Sequence, residues 1–193
     1  KDLKILFDLI DKDKILEALN IVCKPFCVFE RSDASVREKE GLEQKSGWIG
    51  AEHNPVITIK ENGVLLEVDL EKGQKTGFFV DQRDNRALIE KYSKGRNVLN
   101  MFCYTGGFSF YAMRGGANMV HSVDSSERAI ELTNNNVELN FPGDTRHQAT
   151  AMDAFKFMQE TKQKFNLVIL DPPAFAKHMN VLNNALKGYR RLN

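Results

Sequence analysis

The chain has 193 residues, 42% of them hydrophobic and 27% charged, with a formal net charge of +1. This is enough chain for one large or two small globular domains. It excludes a helical membrane protein, because no apolar run nears spanning length, and it gives no global electrostatic case for nucleic acid. Three cysteines, Cys23, Cys27 and Cys103, make no disulfide framework, and no secretory signal is present, so a cytoplasmic location is expected. The first residue is Lys1 rather than Met, which suggests an excised or processed piece.

Residues 2–20 carry Leu3, Leu6, Phe7, Ile10, Ile15, Leu16 and Leu19 at helical spacing, with a break or exposed turn expected at Asp11-Lys12-Asp13. Pro25 ends this region. Cys23-x-x-x-Cys27 resembles half a metal site, but no second ligand pair follows at a suitable spacing, so no metal is expected. Phe26–Glu30 reads as a strand and Arg31–Trp48 as a long polar loop. Val56-Ile-Thr-Ile-Lys60 and Val64-Leu-Leu-Glu-Val68 flank Asn62-Gly63, a strong hairpin signal. A two-residue turn pairs Ile59 with Leu66 and Ile57 with Val68, placing these four on one buried face. Residues 1–82 therefore read as a helical lead-in and a small β-rich domain.

From residue 83 the pattern changes. After a helix at Arg86–Tyr92, strands at Val98–Phe102, Met119–Asp124, His147–Ala151 and Leu167–Leu170 alternate with helices at Phe108–Arg114, Ser126–Asn140 and Ala154–Thr161. Alternation of this kind implies an α/β fold with a doubly wound parallel sheet. The strands end in Cys103–Gly107, Asp124-Ser125, Asp153 and Asp171-Pro172-Pro173, which would all fall on one edge, where such sheets bind ligands.

The glycine turn at Tyr104-Thr-Gly-Gly-Phe-Ser109 lacks the Gly-x-Gly-x-x-Gly spacing of a dinucleotide site. S-adenosylmethionine, with a ribose and an adenine but no pyrophosphate, does not require that spacing. A third reading is a turn whose glycines serve only the fold. Asp124, closing its strand, can accept both hydroxyls of a ribose. Asp171-Pro-Pro-Ala-Phe175 makes a pre-set loop whose polar groups can meet the edge of a planar base while Phe175 stacks on it. The four histidines are scattered singly and read as surface or loop residues.

Val98-Leu-Asn-Met-Phe-Cys-Tyr-Thr-Gly-Gly-Phe-Ser109, Val123-Asp-Ser-Ser126 and Leu170-Asp-Pro-Pro-Ala-Phe175 resemble motifs I, II and IV of class I S-adenosylmethionine-dependent methyltransferases. Glu30-Arg-Ser-Asp33, Arg37-x-x-Glu-Gly41, Glu61-Asn-Gly63 and Gly73–Arg86 narrow the resemblance to the family that makes 5-methylcytosine in 23S ribosomal RNA. The resemblance implies a Rossmann-like domain over 83–193, with S-adenosylmethionine as cofactor and 23S rRNA as partner. It implies that Asn100, Phe102, Thr105, Gly106 and Gly107 line the methionine half of the donor. Asp124, with Ser125, would hold the ribose, and Asp153 with Ala154 the adenine edge; Gln82 and Arg83 would lie nearby. Asp171 and Pro172 would orient the target base, flanked by Pro173 and Phe175.

Family members also carry an N-terminal RNA-binding domain and, after the Asp-Pro-Pro strand, a cysteine nucleophile; neither is visible in these 193 residues. The expectation is a truncated catalytic domain, inactive alone, whose open sheet edge could pair in a homodimer. Carbon-5 chemistry needs a thiolate to add to C6 first. Cys103, in the donor loop, is a poor candidate. Methylation of a base nitrogen needs no cysteine and remains an alternative, as does a catalytically silent S-adenosylmethionine- or RNA-binding module.

Overall fold

In the computed structural model, residues 12–32, 36–39, 41–74, 77–175 and 182–192 are described. Leu3, Leu6, Phe7 and Ile10 of the expected first helix lie outside them, as do Asp33, Glu40, Lys75, Thr76 and Val181. The chain forms two compact units: the described residues of Lys1–Ile57 and Val68–Phe78, and those of Thr58–Glu67 and Phe79–Asn193.

In the first unit, helix α1 (Lys12–Val22) starts within the expected break and buries none of its residues. Strand β1 (Val28–Ser32) pairs antiparallel with β2 (Lys45–Ile49) in the register Val28↔Ile49 to Ser32↔Lys45, and a short helix α2 (Val36–Lys39) lies between them. The long loop expected over Arg31–Trp48 is therefore wrong. Lys45-Ser-Gly-Trp-Ile49 has little strand propensity of its own. It becomes a strand through its partner, with Trp48 meeting Phe29 edge-on at a centroid distance of 4.8 Å.

Strands β3 (Val56–Glu61) and β4 (Val64–Asp69) form the expected hairpin. Asn62 and Gly63 both take positive φ, 49° and 88°, as a type I′ turn demands. Leu66 and Val68 are buried, with Val64 beside them, but Ile57 and Ile59 of the expected buried face are only half-buried; Thr58 and Lys60 are exposed, so the alternation along β3 is as expected. The outer edge of β4 is satisfied by side chains. Asn140 exchanges two hydrogen bonds with Leu65, at 2.8 and 2.7 Å, and Asn136 Oδ1 accepts the N–H of Glu67 at 2.6 Å.

The rest of the second unit is the α/β layer. Helix α3 (Arg83–Tyr92) leads into β5 (Asn97–Met101), α4 (Gly107–Arg114), β6 (Met119–Asp124), α5 (Glu127–Asn140), β7 (His147–Ala151), α6 (Ala154–Glu160) and β8 (Leu167–Leu170), and α7 spans Leu182–Leu192. The four strands are parallel, in the order β7-β6-β5-β8. Leu99 and Met101 of β5 face Val123, Ala154 and Phe157 in one core layer. Asn100 points to the opposite face, beneath α4. Helices thus cover both faces, and the order reverses between β5 and β8. The crevice of such a sheet lies there, at the carboxyl ends.

Candidate functional site

The turn after β5 is strained. Phe102, Tyr104 and Gly106 take φ of 58°, 49° and 82°, and two of the three carry side chains. Left-handed non-glycine residues cost about 1–3 kcal/mol and persist where their surroundings hold them, commonly at functional sites. Here the holding groups are identifiable. Asp124, at the end of β6, accepts the Tyr104 N–H on Oδ2 and the Ser126 N–H on Oδ1, both at 2.9 Å. The Thr133 hydroxyl lies 3.0 Å from the Tyr104 carbonyl oxygen and 2.9 Å from that of Ala129. Asn136 Nδ2 reaches the Thr105 carbonyl at 3.5 Å.

The paired glycines serve the protein first. A Cβ on Gly106 would sit 2.7 Å from both the Phe110 ring and Thr133 Cγ2; one on Gly107 would sit 3.2 Å from Arg86 Cδ. Thr105 is buried, and Phe102 and Gly107 are half-buried.

Several expected site residues are drawn into the fold. Asn100 is fully buried and donates to Ser109 Oγ at 2.9 Å. Ser109 continues to Ser122 at 2.7 Å and Ser122 to His147 Nε2 at 2.8 Å. Asn100 Oδ1 is buried with no hydrogen-bond partner among the described residues. Asp153 caps α6 by accepting the Lys156 N–H at 3.0 Å. Ala154 packs its methyl group into the core, leaving only backbone to offer a ligand. Ser125 is exposed beside Asp124, and the cap of α5 falls to Ser126, which accepts from Ala129 at 3.2 Å. His121 and His147 are not surface histidines. His121 is buried between Gln163 (2.9 Å) and Thr150 (2.8 Å), and burial pushes the His147 ring down to about 4.

Across the switch point, Asp171 is exposed at the end of β8. Gln82 Nε2 approaches its Oδ2 at 3.4 Å and is oriented by Asn85, which donates to Gln82 Oε1 at 2.7 Å. Two residues 89 apart in sequence are thereby brought together. Arg83 is exposed and pairs with its neighbour Asp84 at 3.2 Å. Pro172 is half-buried and Pro173 exposed. Phe175 is engaged with protein: its ring lies 4.7 Å from Tyr189 and 6.3 Å from Phe155, and its N–H reaches Tyr189 Oη at 3.3 Å.

Cys103 is buried, and desolvation, with the Asp124 charge, pushes its thiol far up, so it holds its proton at neutral pH. Among the described residues no group of three His, Cys, Asp or Glu could hold a metal ion. Nor is any described helix long and apolar enough to cross a membrane.

Residues 31–193 match the S-adenosylmethionine-dependent methyltransferase family. The chain belongs to that family. Among curated relatives, the ribosomal RNA large subunit methyltransferase I of Photobacterium profundum is 46% identical over 94% of this chain and 47% of its own length. The protein of the same name from Tolumonas auensis is 43% identical over the same shares. The chain thus spans about half the length of the curated relatives it matches. Among solved structures, SMU.776 in complex with SAH is similar with a TM-score of 0.71 at 31% identity, covering 86% of this chain and 43% of that one. A tRNA m1G37 methyltransferase from M. jannaschii gives 0.67 at 25% identity, covering 92% and 51%.

The residues present at this sheet edge fit the donor. The Asp124 oxygens each accept one backbone N–H and keep lone pairs for further donors. The turn beside it is held in a conformation its own side chains disfavour. Sequence reasoning missed Thr133 and Asn136, which lie on α5 with no local signal, and Arg86 and Glu61, which were visible only as members of quoted motifs.

Proposed function

We propose that this chain is the donor-binding part of an enzyme that methylates large-subunit ribosomal RNA, at C5 of a cytosine. The observation carrying this reading is the parallel pairing of Met101 with Leu170, which sets the strained turn that follows β5 and Asp171 that follows β8 at neighbouring strand ends across the switch point. The names of the curated relatives support the rRNA class. The Lys75–Arg83 stretch supports the cytosine target through its resemblance, and Leu170–Phe175 supports the wider methyltransferase class.

In this reading Asp124 takes the ribose hydroxyls, assisted by Ser125. The turn from Phe102 through Thr105, Gly106 and Gly107 takes the methionine half. Asp153, exposed at its helix cap, flanks the adenine, while Asn100 and Ala154 act from beneath as support. When bound, S-adenosylmethionine supplies an electrophilic methyl group. Asp171, steered by Gln82, accepts a proton-bearing group of the target base, and Pro172 and Pro173 fix the loop so that the base edge meets it. Phe175 anchors that loop against Tyr189. The thiolate that C5 chemistry requires is not Cys103, whose buried thiol stays protonated.

A nitrogen-methylating reading draws support from the likeness to the tRNA m1G37 enzyme. One experiment separates them. The protein carrying this chain is incubated with tritiated donor and 23S rRNA lacking the modification, and the nucleosides are resolved by mass. Labelled 5-methylcytidine is expected. Label in a base nitrogen would move the function to the second reading, and donor binding without transfer would leave a silent module.

A further inference from the structure

We propose that Arg86 is a positioning residue for the donor turn, acting through Gly107 and fixed in place by Glu61; this rests on the donor site proposed above. The Arg86 side chain is 3% exposed and Glu61 10%. Their contact is bidentate, Nε to Oε1 and Nη2 to Oε2, both at 2.7 Å. The Tyr111 hydroxyl donates to the same Oε1 at 3.0 Å, and burial and this bond push the phenol up, so it keeps its proton. Arg86 Nη1 reaches the Phe79 carbonyl at 3.0 Å, at the head of the segment that delivers Gln82 to Asp171. The Phe79 ring meets Tyr104 of the turn edge-on at 5.7 Å. The Arg86 stem fills the space a side chain at Gly107 would take.

A buried ion pair is a poor way to gain stability, since desolvating both charges offsets most of their attraction. What it supplies is geometry. A planar fork on a carboxylate fixes the guanidinium in position and orientation, which a lysine cannot do. The fixed stem then sets how close the first turn of α4 can approach, and so where the turn presents its backbone. The same unit contains a contrasting pair. Arg114 grips Glu90 with bonds of 2.9 and 2.7 Å, but at the far end of α4, where the side chains are 30% and 31% exposed. That pair ties α4 to α3 without touching the donor turn.

The test uses the protein carrying this chain. Affinity for S-adenosylhomocysteine is measured by calorimetry, melting temperature by circular dichroism, and the Gly107 amide by NMR in the free protein. Arg86→Lys is expected to weaken binding about tenfold and to shift the Gly107 resonance. Glu90→Gln is expected to lower the melting temperature while leaving affinity and that resonance unchanged. Unchanged affinity in Arg86→Lys would overturn the proposal. So would an equal loss of affinity in Glu90→Gln. Should Arg86→Lys fail to fold, Tyr111→Phe removes the hydroxyl that reaches both the backbone oxygen and Oε1 of Glu61, without stranding a charge; about a threefold loss is then expected, and none would be decisive against the proposal. If the wild type does not bind S-adenosylhomocysteine, the donor reading falls on its own. The Gly107 resonance then decides about Arg86, an unmoved signal overturning its role.

Discussion

Asp124 Oδ2 accepts the backbone N–H of Tyr104 at 2.9 Å, joining the end of β6 to the strained turn after β5. The same carboxylate, through Oδ1, fixes the Ser126 N–H at the entry to α5. One side chain therefore holds two backbone segments at the sheet edge and is also the group proposed to take the ribose. Binding and scaffolding are not separable at this position.

Asp124→Ala is accordingly expected to weaken donor binding by about a hundredfold. Hydrogen bonds to a charged group contribute roughly 1.5–3 kcal/mol, which is ten- to a hundredfold in affinity. Loss of the Tyr104 anchor places the effect at the upper end. Calorimetric titration with S-adenosylhomocysteine measures it, and a folded mutant with wild-type affinity would remove Asp124 from the site.

The two glycines should respond differently to alanine. At Gly106 a Cβ would lie 2.7 Å from two neighbours while φ is 82°, so clash and backbone strain add. A loss of about 2–4 kcal/mol in unfolding free energy is expected. At Gly107 the single close neighbour is the Arg86 stem at 3.2 Å, a milder overlap with no left-handed backbone to add to it, and about 1 kcal/mol is expected. Urea unfolding of both variants checks the order; Gly107→Ala as the more damaging change would contradict it.

The parallel sheet was legible in the sequence because strand-length segments alternate with helical ones, with β7, His147-Gln-Ala-Thr-Ala151, legible from that alternation rather than from apolar content, and β6, β7 and β8 fall on the expected residues. The adjacency of β5 and β8 followed from the ligand-edge logic of such sheets. Lys45–Ile49 was illegible because its strand state depends on a partner distant in sequence, as in Phe29↔Trp48. Asn100 lies near the end of β5 and Phe175 in the loop after β8, but nothing local in the sequence shows that Ser109 claims the Asn100 amide or that Tyr189 claims the Phe175 ring. His121 and His147 read as surface residues because their burial comes from side chains on neighbouring strands and on distant loops.

Cys103→Ala should leave methyl transfer by the protein carrying this chain within a few-fold of wild type. The thiol is buried and stays protonated, and a protonated thiol is not the attacking species. The cost should appear in stability instead, at about 1 kcal/mol for a small group removed from a packed site. Single-turnover transfer and thermal melting, run together, test both parts. Complete loss of transfer with donor binding intact would make Cys103 a participant.

The last prediction concerns acid sensitivity. Burial first, and then the neighbouring His121, push the His147 ring down to about 4, with Asp144 opposing them in part. In the unfolded chain the ring titrates near its ordinary value of about 6.5. Between these values the unfolded state binds a proton that the folded state refuses, so stability rises with pH. The contribution is complete above about pH 6.5 and is lost as pH falls toward 4. At about 1.36 kcal/mol per unit the full shift would exceed 3 kcal/mol; because the ring is only half-buried, roughly 2 kcal/mol is expected. For a chain of this size that is about 4–8 °C in melting temperature between pH 7.5 and 4.5. Asp144 and Glu30 are held below the ordinary carboxylate range by Arg146 and Lys12 respectively, so their own contributions are present above the ordinary carboxylate values and begin to fall only at the acid end of the interval. His147→Gln keeps a polar group facing Ser122 Oγ but removes the titration, so its melting temperature should be flatter across the interval. Parallel slopes for wild type and variant would show that the acid sensitivity arises elsewhere.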